Sequence, residues 1–125
     1  MGGEYGVAII TGLQGGGGVG GGDGSSYMKA AAIVKHSFDY DLEGNHGPAT
    51  RQAFGAIVSE VDQNNYFWPP FEAVITRAHA SGLMCSYNGV NGVPSCMNSA
   101  VNNDLVREQW GLGDGIIVSD CGAVR

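Results

Sequence analysis

A chain of 125 residues, 43% of them hydrophobic, is the size of one small domain and holds enough apolar material for a core. Its net charge of −6, with six Lys and Arg spread singly, offers no basic stripe for phosphate backbones or anionic lipids, so neither nucleic acid nor a membrane surface is an expected partner. No apolar run approaches the roughly 20 residues that span a bilayer, and Met1–Glu4 has neither the basic nor the apolar region of a signal peptide.

Tyr5, Val7, Ala8, Ile9 and Leu13 read as the end of a helix, with Gly12 and Gly15 as stop signals. The Gly-rich run from Gly15 to Ser26 has maximal backbone freedom and nothing to bury, which predicts a flexible surface loop. Met28–Val34 is a continuous apolar run that fits a strand buried on both faces, a buried helix being the alternative, and Lys35-His36 closes it. Ser59 followed by Glu60 and Asp62 marks a helix start, and Pro69-Pro70 restarts a helix through Phe71, Val74, Ile75 and Ala78. Leu83–Tyr87 reads as a short strand ending in the turn residues Asn88–Gly92. Asn98 caps a further helix with apolar positions Val101, Leu105 and Val106, which Trp110 and Gly111 end. Gly115–Ser119 is a third apolar strand, and Asp120 stands at its carboxyl end. Three short strands alternating with helices predict consecutive βα units of an α/β fold.

In such folds ligands bind at the carboxyl ends of the strands, where loops vary while the sheet stays rigid. The three ends supply Lys35 and His36, Tyr87 and Asn88, and Asp120, a set whose donors and acceptors suit the hydroxyls of a sugar. Other chemistries fit less well. The Gly-rich run lacks the Lys-Ser/Thr end of a phosphate loop, and there is no Gly-x-Ser-x-Gly elbow. Asp39, Asp41, Glu43 and His46 match no metal-ligand motif, so neither a metal nor another cofactor is expected. Cys85, Cys96 and Cys121 lack Cys-x-x-Cys spacing and permit at most one internal disulfide; a Cys85–Cys96 pair stays open at this stage.

Four blocks in order carry a resemblance: Ala31–His36 (Ala-Ala-Ile-Val-Lys-His) with Tyr40–Glu43; Phe67–Glu72 (Phe-Trp-Pro-Pro-Phe-Glu); Leu83–Cys96 (Leu-Met-Cys-Ser-Tyr-Asn-Gly-Val-Asn-Gly-Val-Pro-Ser-Cys); and Gly115–Val124 (Gly-Ile-Ile-Val-Ser-Asp-Cys-Gly-Ala-Val). Together they resemble glycoside hydrolase family 3, and the Asp120-Cys121 pair resembles its β-xylosidases more than its β-glucosidases. The resemblance implies a partial (β/α)8 barrel, with residues 1–125 as a fragment of the family's N-terminal barrel domain. It also implies an exo-acting β-glycosidase that releases terminal xylose, rather than glucose, with retention.

Within that resemblance Asp120 matches the nucleophile and Tyr87 a tyrosine beside it. Lys35, His36, Arg51 and Met84 match residues that hold or line the terminal sugar. A retaining enzyme needs such a carboxylate to attack the anomeric carbon, in a field of cations and hydrogen-bond donors, and a second carboxyl about 5–5.5 Å away as acid/base. The resemblance puts that second group beyond Arg125, so none is assigned. It further implies a carbohydrate substrate, a secreted or extracellular full-length protein, and the remainder of the barrel with a second domain as partners.

Plainer readings stand beside these. A carboxylate at a strand end can be a helix cap or loop bond, Lys35-His36 a solvated strand end, Arg51 a surface charge, and Met84 and Tyr87 core. Asp39, His46 and His79 read as structural or solvent-facing, and Phe67–Phe71 as a packing hinge. Ser37, where the family usually carries an aromatic, and the Gly-rich insertion depart from its pattern. The acidic residue and arginine-rich block that precede this region in the family do not appear before Tyr5. The alternative to an enzyme is a truncated, inactive remnant that binds a carbohydrate or a partner. Activity would need the rest of the barrel, since a full (β/α)8 domain takes about 250 residues.

Overall fold

The computed structural model describes residues 1–15, 27–47 and 49–124. Most of the Gly-rich run, residues 16–26, therefore lies outside the described residues, as do Pro48 and Arg125. Helix α1 spans Gly2–Gln14 and is stopped by Gly15, whose φ of 103° a side chain would resist and whose N–H donates to the Thr11 carbonyl. Gly12 lies within the helix and does not end it. Strand β1 is Ile33–Ser37. Two short pairs follow, β2 (Asn45–His46) with β3 (Ala49–Thr50), and β4 (Gly55–Ala56) with a later strand.

Helix α2 (Glu60–Asp62) starts where Ser59 Oγ accepts from the Asp62 N–H at 3.1 Å, as its cap signal requires. It continues through Gln63–Phe67 in wider turns, with the Trp68 N–H reaching the Gln63 carbonyl. Helix α3 (Pro69–Thr76) begins on the two prolines, whose missing N–H groups cost nothing in a first turn. Strand β5 (Gly82–Cys85) leads to the hairpin β6 (Gly89–Val90) and β7 (Val93–Pro94). Asn91 and Gly92 turn it at φ 51° and 86°, a two-residue left-handed turn that the Asn-Gly pair favours. Helix α4 (Ala100–Gln109) is wound with i→i+5 bonds, and Asn98 Oδ1 accepts from the Val101 N–H at its start. Strand β8 (Ile116–Ser119) closes the series.

The three longer strands form one parallel sheet in the order β1-β5-β8, with helices in both crossovers. The fold is thus α/β, with successive βα units of a partial barrel. The first strand lies further along the chain than the apolar run Met28–Val34 suggested, because pairing begins only at Ile33, opposite Gly82. Lys35 and His36 consequently sit inside the strand.

Register divides the sheet into two faces. Val34, Leu83 and Ile117 align in one row and join the core under the helices, with Leu83 fully buried. Burying such a side chain contributes about 1.5–3 kcal/mol. Lys35, Met84 and Val118 align in the next row on the opposite face, where Lys35 and Val118 are exposed and Met84 is half-buried. Helix α1 lies on α3 so closely that a Cβ on Gly6 would meet Val74 Cγ1 at 2.7 Å, and Glu4 and Arg77 form a two-pronged ion pair across the contact. No helix among the described residues is long and apolar enough to cross a membrane.

Candidate functional site

Asp120 follows β8 directly, and its backbone is fixed to the neighbouring strand by its N–H, which donates to the Cys85 carbonyl at 3.1 Å. Its Oδ1 accepts from the Cys121 N–H at 2.7 Å. Its Oδ2 lies 3.2 Å from His36 Nε2, with the two side chains 14% and 26% exposed. One carboxylate oxygen therefore holds the loop and the other meets an imidazole at the rim of the open face.

Tyr87, two residues beyond β5, donates its hydroxyl to the Cys121 carbonyl at 3.0 Å. Burial, followed by the Asp120 carboxylate beside it, pushes the phenol above its ordinary value of 10, so the hydroxyl keeps its proton and remains a donor. The Arg51 guanidinium stands 5.9 Å from the Tyr87 ring centroid and 3.7 Å from Glu43 Oε2. Tyr40 ties these groups together. It meets His36 edge-on at 5.3 Å, Tyr87 at 6.0 Å and Phe54 in a stack at 6.1 Å.

His36, Arg51, Tyr87 and Asp120 thus converge. Lys35 joins them as a wall of a cavity of about 290 Å³ shared with His36, Asp39, Tyr40 and Glu43. The Lys35–His36 and Ser37–Phe38 peptide bonds are both cis. Met84 is outside the buried core and stands on the open face in register with Lys35, without lining that cavity. Asp39 is buried, 5% exposed, with φ at 58°, which makes it structural and not solvent-facing. His79 is exposed. Phe71 packs against Phe38 and Trp68 against Trp110, while Phe67 and Phe71 also line the cavity beside Lys35.

Cys85 and Cys96 are disulfide-bonded with Cα atoms 5.2 Å apart, and Cys121 is free and exposed. The bridge ties the end of β5 to the single 3-10 turn Ser95–Met97 after β7. Of two supporting residues, Asn88, expected among the sugar-facing groups at the strand ends, instead turns inward, and Tyr40 was not foreseen. Asn88 is completely buried and its Nδ2 donates to the carbonyls of Phe38 and Asp39, fixing the turn that follows His36. Tyr40 lies in a quoted block, yet nothing in its spacing foretold a position between three rings.

With this geometry in place, comparison with known proteins is specific. The model of the glycosyl hydrolase family 3 N terminal domain matches residues 2–125, and the chain belongs to that family. Probable beta-D-xylosidase 7 of Arabidopsis thaliana is 43% identical over 124 residues, covering 99% of this chain and 16% of the relative. Probable exo-1,4-beta-xylosidase bxlB of Aspergillus terreus is 38% identical and covers 97% and 15%. A solved GH3 exo-beta-xylosidase, XlnD, in complex with a xylobiose aziridine activity-based probe superposes with a TM-score of 0.83 at 35% identity over 95% of this chain and 15% of that one. A β-glucosidase from Erythrobacter marinus gives a TM-score of 0.73 at 34% identity, covering 92% and 14%. The chain therefore spans about 15% of the length of the xylosidases it matches.

Proposed function

We propose that this chain supplies the nucleophile-bearing part of an exo-acting, retaining β-glycosidase that removes terminal β-linked xylose in preference to glucose. The observation that carries the reading is the contact of Asp120 with His36 at the open end of the parallel sheet, with Tyr87 beside it. Asp120 attacks the anomeric carbon, the bond from that carbon to the leaving oxygen breaks with its electron pair going to that oxygen, and an acid outside the described residues protonates it. Water then releases the sugar from the ester. Lys35 and His36 hold hydroxyls of the terminal sugar, Arg51 over the Tyr87 ring and Met84 on the open face beside Lys35 flank it, and Tyr87 orients the Asp120 loop through the Cys121 carbonyl.

The xylosidase names of the relatives support the preference for xylose. In this reading residues 1–125 are part of an N-terminal barrel domain, and its partners are the rest of that barrel and a second domain. The Cys85–Cys96 disulfide supports an oxidising, secreted setting for the full-length protein. Hydrolysis of β-xylobiose by the full-length protein, followed by proton NMR, tests the reading. β-Xylose as the first-formed anomer is the expected result, and α-xylose appearing first would overturn it.

A further inference from the structure

A small space adjoins the turn that follows His36. Its walls include Asp39, Gln63, Trp68, Ser95, Asn98 and Val101, and it leaves about 10 Å³ for the centre of a water molecule, room for one. Asp39 is also a wall of the larger cavity beside Lys35 and His36, so one residue belongs to both spaces.

The polar groups around the small space are not all satisfied. Gln63 Nε2 donates to Asp39 Oδ2 at 3.3 Å, Ser95 Oγ donates to the Asn88 carbonyl at 2.7 Å, and Asn98 Oδ1 accepts from the Val101 N–H at 3.2 Å. Asp39 Oδ1 and Trp68 Nε1 are buried and meet no partner among the described residues, and Asp39 as a whole is 5% exposed. Buried polar atoms are rarely left without a hydrogen bond, because the solvent lost on folding has to be replaced. One of the two is a donor and the other an acceptor. Only a molecule that both accepts and donates answers the pair, and water is small enough for the space. A metal ion there would face the indole N–H.

We infer that this space binds one water molecule, which accepts from Trp68 Nε1 and donates to Asp39 Oδ1. The water joins the residue that precedes α3 to the Phe38–Asp39 turn, whose two carbonyls Asn88 Nδ2 already holds. Trp68 and Asp39 are thereby positioning residues for Lys35 and His36, acting through the turn at the end of β1. The water site does not depend on Asp120, and only its effect on turnover rests on the proposed glycosidase reading.

A crystal structure of the full-length protein, at a resolution that shows ordered waters, tests the site. One water within hydrogen-bond distance of both Trp68 Nε1 and Asp39 Oδ1 is the expected result. Its absence, or a protein group bonded to either atom in its place, overturns the site. Trp68→Phe keeps an aromatic ring against Trp110 and removes the N–H. In the full-length variant the water should be lost and KM for β-xylobiose should rise roughly two- to tenfold, the scale of one hydrogen bond, with kcat changed by less than about twofold. Val101→Ile, which adds one carbon to a wall residue, gives the same split and decides the matter if the Phe variant does not fold. An unchanged KM in a folded variant that has lost the water overturns the positioning role and leaves the site. Failure of the unsubstituted protein to hydrolyse β-xylobiose overturns the glycosidase reading, and the positioning role with it, whereas the water is read independently from the crystal structure.

Discussion

His36 Nε2 lies 3.2 Å from Asp120 Oδ2, although His36 lies in β1 and Asp120 follows β8, two strands kept apart by β5. The contact crosses the open end of the sheet and is made at partly exposed side chains, so it contributes to orientation more than to folding. In the full-length protein, His36→Ala is expected to lower kcat/KM on β-xylosides by roughly 10–100-fold, the scale of a hydrogen bond to a charged group. The melting temperature should move by less than about 3 °C. Steady-state kinetics beside a thermal melt checks this, and unchanged turnover would remove His36 from the site.

Asp39 gives a pH dependence whose sign follows from its surroundings. Burial raises its pKa above the ordinary 3.8, the Gln63 amide at 3.3 Å opposes this, and Asp41 adds to it. A carboxyl raised on folding binds its proton more tightly in the folded state. Its favourable contribution is complete below the unfolded value and is lost as pH rises through the folded one. Asp39→Asn keeps an acceptor for Gln63, tolerates the positive φ and removes the buried charge. The variant should melt above the parent at pH 7, with the gain vanishing as pH falls below the unfolded carboxyl value. Equal melting temperatures at pH 7 and below that value would contradict this.

The Cys85–Cys96 bridge closes a loop of sequence separation 11 and anchors the residue whose carbonyl receives the Asp120 N–H. Cys96→Ser is expected to cost about 2–3 kcal/mol, or a fall of about 10 °C in melting temperature. Reductant should reproduce the shift in the parent and leave the variant unaffected. A parent insensitive to full reduction would show that the bridge contributes nothing.

Gln14, at the opposite end of the sheet from Asp120, is 4% exposed and joins three segments. Its Nε2 donates to the carbonyls of Ala78 and His79, and its Oε1 accepts from the N–H groups of Ala32 and Ser81 and from the Ser81 hydroxyl. Gln14→Leu strands those groups and should destabilise by at least about 3 kcal/mol in a denaturant titration. A change below 1 kcal/mol would mean that solvent replaces the amide.

The contrast between Gln14 and Asp120 shows what was legible in the sequence. The place of Asp120 at a strand end was readable because the apolar strand before it is a local pattern, and Ser59, the Pro69-Pro70 start and the Gly15 stop were readable for the same reason. Gln14 sits at a helix end with no local pattern, and its role exists only where α1, β1 and β5 meet. Asn88 read as a turn residue and as a strand-end group for a sugar, while its side chain points inward to hold the Phe38–Asp39 turn. The start of β1 was misplaced because Met28–Ala32 is as apolar as a strand but has no strand beside it, and pairing, not composition, sets the boundary. The short strands β2, β3, β4, β6 and β7 are too brief for any periodicity to reveal.

The central claim is that Asp120 is a glycosyl-accepting nucleophile. Its most direct test is intact-mass measurement after incubating the folded protein with 2-deoxy-2-fluoro-β-xylosyl fluoride, whose fluoride leaves without an acid. The expected result is one fluoroxylosyl adduct, mapped by peptide mass to Asp120 and absent from Asp120→Asn. A folded protein that gains no adduct, or one whose adduct maps to another residue, would contradict the claim.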